Sequence, residues 1–275
     1  MKMEFTKNVI FLDTETTWII KDNSNTILSN GDLIQLAYRK IGNGSQIDEN
    51  IFVNTDTKIE VGAMATHGIY PKLLAEKSEG KYIKDITLDK DTFANDVLVA
   101  HNSDFDVSVL EVAGFTCSRQ VIDTLKVAKI LLSEGIFEKF YDNNPEYVNM
   151  QYLRYYFKHY EILDADGNPE VTTAHDAFGD VVVLQKVFES MFNIIKTELN
   201  VSNDEALEIM IEMSQKEFLL ISTMAFGKYR GRTFEDVAKM DSNYLQWIID
   251  ADFTEDVKYT CSVHLGQIED KKFFS

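Results

Sequence analysis

Apolar residues come in short runs through the first half of the chain and at helical spacing in the second. Residues 8–15, NVIFLDTE, are β-rich and largely apolar, as a central strand buried on both faces would be. LIQLAYRK (33–40) and NIFVN (50–54) repeat the pattern across the polar stretch 41–49, a spacing that predicts a hairpin. VLVAH (97–101) predicts a further strand running into a helix that starts near Ser103. RQVID (119–123) predicts another, followed by the helix TLKVAKILL with Asp123 as its N-cap. Antiparallel strands that give way to strand–helix alternation predict an α/β fold built on one mixed sheet.

The rest reads as helix. Residues 146–160, EYVNMQYLRYYFKHY, are helical in pattern and rich in aromatics, and the turn-rich stretch 163–175 follows. A long helical pattern begins near His175 and runs toward Asn200. VSNDEALEIMIEMSQ predicts one more helix, bridging to a small C-terminal region with a capping box from Thr233 to Asp236 and two short helices. The expected organisation is a main domain over 1–198 and a small helical module over 199–275.

Composition changes this picture in one respect. At 275 residues with 45% apolar content the chain can bury a full core, but 45 acids against 27 bases leave a net charge of −18. Such a surface repels polyanions, so any affinity for nucleic acid must come from local features. Two cysteines without a pairing motif fit a reducing cytoplasm, and neither a signal peptide nor an apolar run of membrane-spanning length is expected.

The local features are acids placed where apolar residues belong. Asp13 and Glu15 are two apart on the first strand and share one face, where like charges raise each other's pKa unless a cation neutralises them. Hard oxygen ligands of this kind suit Mg²⁺ or Mn²⁺, although acids at a frayed strand end would look the same. In HNSDFD (101–106), Asp106 either completes a capping box with Ser103 or serves a metal, and Asp104 favours a helix N-terminus in any case; nothing local decides. Asp180 stands in line with Leu184, Val187 and Met191 on the apolar stripe of the long helix, where an unpaired carboxylate is costly. His175 lies five residues before it.

The ordered set D-x-E on a first strand, H-N-x-x-F-D at a strand-to-helix step and H-x-A-x-x-D opening a late helix resembles the DnaQ-like 3′–5′ exonucleases of the DEDDh class. His67-Gly68-Ile69 and Asp123-Thr124-Leu125 are supporting matches, and the resemblance covers about residues 8–190. It implies a ribonuclease H-like fold: a mixed five-stranded sheet flanked by helices, with Asp13 and Glu15 at its centre. It further implies that Asp13, Glu15, Asp106 and Asp180 hold two divalent ions, with Asp106 preferred to Asp104 and Asp180 to Asp176. His175 would be the general base, working beside Glu15. Thr14, Thr16, His67 and Asn102 would contact the last nucleotides. The substrate would be DNA with a 3′ end, single-stranded or frayed duplex, with RNA left open and any replication or repair partner unspecified.

The segment FGKYRGRTFEDVAKMDSNYLQWII resembles the small C-terminal module of exodeoxyribonuclease X-like proteins. It makes Lys228, Arg230 and Arg232 candidate DNA contacts, against the plainer reading of an exposed basic turn before a capped helix. The rival readings are a polymerase proofreading subunit or an RNA-trimming enzyme of the same superfamily, and a non-catalytic protein that binds nucleic-acid ends. One residue departs from the family pattern: Trp18 follows D-T-E-T-T, and relatives usually have glycine close after that motif. It would either pack the following loop or stack on a terminal base.

Overall fold

Strand β1 (Val9–Thr16) is the middle of a five-stranded sheet. Two short strands, β2 (Ile19–Lys21) and β3 (Ile27–Asn30), follow it and pair with each other. Strand β4 (Leu33–Gly42) lies antiparallel to β1, and β5 (Ser45–Phe52) antiparallel to β4. After helices α1 (Val61–His67) and α2 (Pro71–Lys77), strand β6 (Val97–Ala100) pairs parallel with the other edge of β1. Helix α3 (Ser103–Val112) then leads to β7 (Val121–Asp123), parallel to β6, and to α4 (Thr124–Ser133). The order β5-β4-β1-β6-β7 is the mixed, ribonuclease H-like sheet expected from the sequence. The structure, a computed structural model, describes residues 5–21, 27–163, 167–170, 176–217, 223–270 and 272–274.

The second half is helical: α5 (Phe137–Phe140), α6 (Met150–Tyr156), α7 (Ala177–Leu199), α8 (Asn203–Gln215), α9 (Phe234–Met240), α10 (Ser242–Asp250) and α11 (Glu255–His264). Helix α7 buries the expected stripe Asp180, Leu184, Val187 and Met191, and Val181 to Val183 besides. Among the described residues, no helix is long and apolar enough to cross a membrane.

Three local expectations are corrected. The β4–β5 hairpin is much tighter than the polar stretch 41–49 suggested, because pairing continues to Gly42 opposite Ser45. Asn43 and Gly44, both at positive φ, make the two-residue turn, and β5 is polar because it is the exposed edge. The helix expected over 146–160 is confined to α6, where the Asn149 side chain accepts the Tyr152 amide as cap. Among its described residues the C-terminal region holds three helices after the turn, α9 to α11, instead of two.

The chain divides into two compact units. One comprises Met1–Ile20, Ile27–Ala128 and Pro145–Ser214 and contains the whole five-stranded sheet; the other comprises Lys21–Thr26, Lys129–Asn144 and Gln215–Ser275. Most of α8 therefore belongs with the sheet, beyond the border expected at 198/199. The second unit has its own core of Met224, Phe234, Val237, Leu245, Ile248 and Cys261.

Candidate active site

Each face of β1 meets a different helix. Phe11 packs edge-on against Phe188 of α7 at 5.2 Å, while Ile10 and Leu12 join Val109 and Leu110 of α3 in one core cluster. Alternation carries this forward, so Asp13 and Glu15 face α7 and Thr14 faces α3. A bulge follows at once: Glu15 is opposite Gln35 but Thr16 is opposite Leu33, leaving Ile34 as the extra residue.

Strand β6 stops short. It pairs with β1 only from Val9 to Phe11, and the chain turns away at Asn102, whose φ is 76°. The Val97 amide donates to the Asn8 carbonyl, so even-numbered residues of β1 direct their backbone toward β6. By Thr14 there is no strand left to pair with. Asp106, on the first turn of α3, accepts in its place: Oδ1 takes the Thr14 amide at 2.9 Å and the Thr14 hydroxyl at 2.8 Å. Asp106 is buried and turned to β1, whereas Asp104 is exposed. The capping reading of Asp106 gives way to this one; Asn102 is the N-cap of α3 and makes no side-chain cap bond.

Asp13, Glu15 and Asp180 meet on the other face, each offering a carboxylate oxygen, all within 4.8 Å of one another. Gln151 of α6 donates from Nε2 to Asp180 Oδ1 at 3.0 Å. Asp176 is instead the N-cap of α7, accepting the Gly179 amide and a 3.1 Å bond from Gln35 Nε2. Burial, then the charges of Asp106, Glu15, Asp180 and Asp176, hold the Asp13 pKa well above the usual carboxylate range. Burial and the charges of Asp180, Asp106 and Asp176 push Glu15 to about 8. Burial also lifts Asp106 to about 7, against the lowering effect of the two Thr14 hydrogen bonds. Every charge acting on Asp13 and Glu15 is negative, and the donors are all hard oxygens. The residues therefore fit a divalent cation of the Mg²⁺ or Mn²⁺ type.

A cavity of about 660 Å³ opens beside Glu15 and Thr16, with Trp18, His67 and Phe105 among its walls. His67 Nδ1 accepts the Ile69 amide at 3.0 Å, which puts the ring proton on Nε2, 3.2 Å from the Thr16 carbonyl oxygen that accepts it. The Thr16 hydroxyl donates to the Trp18 carbonyl. Trp18 is half-buried, and its ring runs so close to Gly31 that a Cβ there would lie 2.9 Å from Trp18 Cδ1.

The remaining predicted residues are placed as follows. Asn102 is exposed, its amide donating to Asp123 Oδ1, which also takes the Leu125 amide and caps α4 as expected. His175 lies outside the described residues. On either side of its segment, Glu170 is paired with the buried Arg39 at 3.0 Å and Asp176 is held by Gln35. In the second unit Lys228 is bound to Asp241 at 2.8 Å and sits over the rings of Tyr229 and Tyr244, while Arg230 and Arg232 are exposed. Gln151, Gln35 and the part Thr14 plays for Asp106 have no signal in the sequence pattern, since a lone amide or hydroxyl suits any surface position.

The chain has recognisable relatives. Residues 224–252 match the family model of the exodeoxyribonuclease X-like C-terminal region. The chain is 27% identical over 220 residues to "Exodeoxyribonuclease 10" of Escherichia coli (strain K12), covering 79% of this chain and 84% of that protein. It is 32% identical over 135 residues to "DNA polymerase III subunit epsilon" of Buchnera aphidicola subsp. Acyrthosiphon pisum (strain APS), covering 46% of this chain and 55% of that protein. Among solved structures, "Exonuclease X in complex with 5' overhanging duplex DNA" aligns with a TM-score of 0.45 at 17% identity, covering 74% of this chain and 99% of that one.

Proposed function

We propose that this chain, which is related to the DnaQ-like exonucleases and to exodeoxyribonuclease X among them, is a divalent-metal-dependent 3′–5′ exonuclease that releases 5′-mononucleotides from DNA. The observation that carries the reading is the cluster of Asp13, Glu15 and Asp180 at the end of the central strand, with Asp106 at its open edge. These four acids would hold two Mg²⁺ or Mn²⁺ ions. Bound there, the ions would acidify the attacking water and offset charge on the scissile phosphate and the departing 3′-oxygen. His175 takes the water's proton as general base, and Glu15 works beside it. Thr16 and His67 border the cavity that receives the terminal nucleoside, with Asn102 as a further contact, while Thr14 acts through Asp106.

DNA is the substrate favoured by the names of both relatives, and the match at 224–252 favours a free-standing nuclease over a polymerase subunit. Arg230 and Arg232 are read as DNA contacts; Lys228, tied to Asp241, is the weaker member of that set. Two free cysteines, whose thiols burial pushes up to about 11 (Cys117) and about 12 (Cys261), suit a reducing cytoplasm.

The test is digestion of matched end-labelled DNA and RNA oligonucleotides with Mg²⁺, Mn²⁺ or EDTA. DNA is expected to shorten from its 3′ end only with metal, and Asp13→Ala or Asp180→Ala to lower the rate by about 1,000-fold or more. Activity in EDTA, or activity that survives both substitutions, would overturn the reading.

A further inference from the structure

The second unit carries an aromatic surface that the acid cluster does not use. Tyr244 of α10 is its hub. The Tyr244 ring packs edge-on to Tyr229 at 5.1 Å, has the Lys228 ammonium 4.9 Å above it, and stacks on Trp247 at 5.5 Å with 27° between planes. Trp247 also meets Phe253 at 5.8 Å, yet is 54% exposed. An indole fixed by neighbours on two sides and open to solvent is a rigid apolar plane facing water.

The charge around it is distinctive for so acidic a chain. The turn that carries Lys228 and Tyr229 also presents Arg230 and Arg232, both exposed and neither in an ion pair among the described residues. By contrast Lys239 and Lys258 of the same unit pair with Glu235 and Glu255. Tyr229 and Lys228 both rest on Tyr244, so the turn with the two arginines and the open indole are joined through one ring.

We propose that Trp247, backed by Tyr244, is a stacking platform for the bases of a single-stranded nucleic acid, whose phosphates Arg230 and Arg232 meet. A planar face suits any base, and unpaired cations suit the phosphate backbone; only a single strand offers both at once, because a duplex hides its base faces. The choice of polymer rests on the nuclease reading above.

The chain has two tryptophans, Trp18 and Trp247, so Trp18→Phe in the full-length protein leaves Trp247 as its one indole fluorophore. Titration with a 12-nucleotide oligo-dT in EDTA stops metal-dependent hydrolysis and leaves the acid cluster repelling the strand. Saturable quenching is expected with the oligonucleotide, and little with polyphosphate or blunt duplex at equal phosphate. In the wild-type background, Trp247→Ala is expected to raise Kd for the oligonucleotide about tenfold and Trp247→Phe to restore most of it. The double change Arg230→Ala with Arg232→Ala, which removes two phosphate contacts, should reduce the salt slope of binding by about 1.4. Absent quenching, equal quenching by polyphosphate or duplex, or an unchanged Kd in Trp247→Ala would overturn the proposal. Digestion in Mg²⁺ separates the two readings: digestion without quenching defeats the platform alone, and quenching without digestion defeats the nuclease reading alone.

Discussion

One oxygen of Asp106 receives both the amide and the hydroxyl of Thr14, which leaves the other oxygen for a cation. Hydrogen bonds to an ionised carboxylate lower its pKa, so Thr14→Val should raise that of Asp106 above about 7. The variant is expected to lose more activity at pH 6 than at pH 8, to lose about 1 kcal/mol of stability, and to be rescued by Thr14→Ser. An equal loss at both pH values would reduce Thr14 to a packing residue. Gln151 makes the matching bond to Asp180, and Gln151→Leu should raise the Mn²⁺ concentration for half-maximal activity by about tenfold or more. An unmoved midpoint would count against that role. Asp13, Glu15 and Asp180 were legible in the sequence because a carboxylate on an apolar stripe breaks the pattern. Asp106 was separable from Asp104 only by family resemblance, since both suit the first turn of a helix. Gln151 was not legible at all: its partner is 29 residues away, and an amide in a first turn violates no rule.

At the scale of elements, β1, β4, β6 and β7 were readable because each holds a short apolar run, and α7 because its stripe persists over many turns. Edge strand β5 was mostly missed, since its polar residues lack the buried face that marks a strand. The bulge after Glu15 was invisible too; it is a matter of pairing between two strands, which neither strand encodes alone. In the second unit, the turn before α9 depends on Gly227. Its φ is 66°, and a Cβ there would lie 2.0 Å from the Tyr244 hydroxyl, whose ring is pinned by Tyr229, Lys228 and Trp247. Gly227→Ala is expected to cost about 1–3 kcal/mol. A lowered melting temperature, followed by tryptophan fluorescence, would register this; an unchanged melt would mean that the turn and ring can yield.

For the molecule as a whole, the acid cluster is a source of instability that a bound cation would relieve. An acid whose folded pKa lies above its unfolded value contributes stability that is full below the ordinary carboxylate range and is lost as pH rises through the folded pKa. Glu15 moves from 4.5 to about 8 and Asp106 from 3.8 to about 7, which sets the window. Metal-free protein is therefore expected to lose melting temperature between about pH 5 and pH 8, and Mg²⁺ to raise it far more at pH 8 than at pH 5. Equal stabilisation by Mg²⁺ at the two values would contradict this electrostatic account. The early end of β6 has a consequence for reading related chains. Were that strand two residues longer, its backbone would take the Thr14 amide, Asp106 would be displaced, and the same four acids would decorate a sealed sheet. A survey that counts acids would score such a chain as intact. The informative comparison is the length of the strand beside them, and an insertion just before His101 would silence the site without altering a single acid.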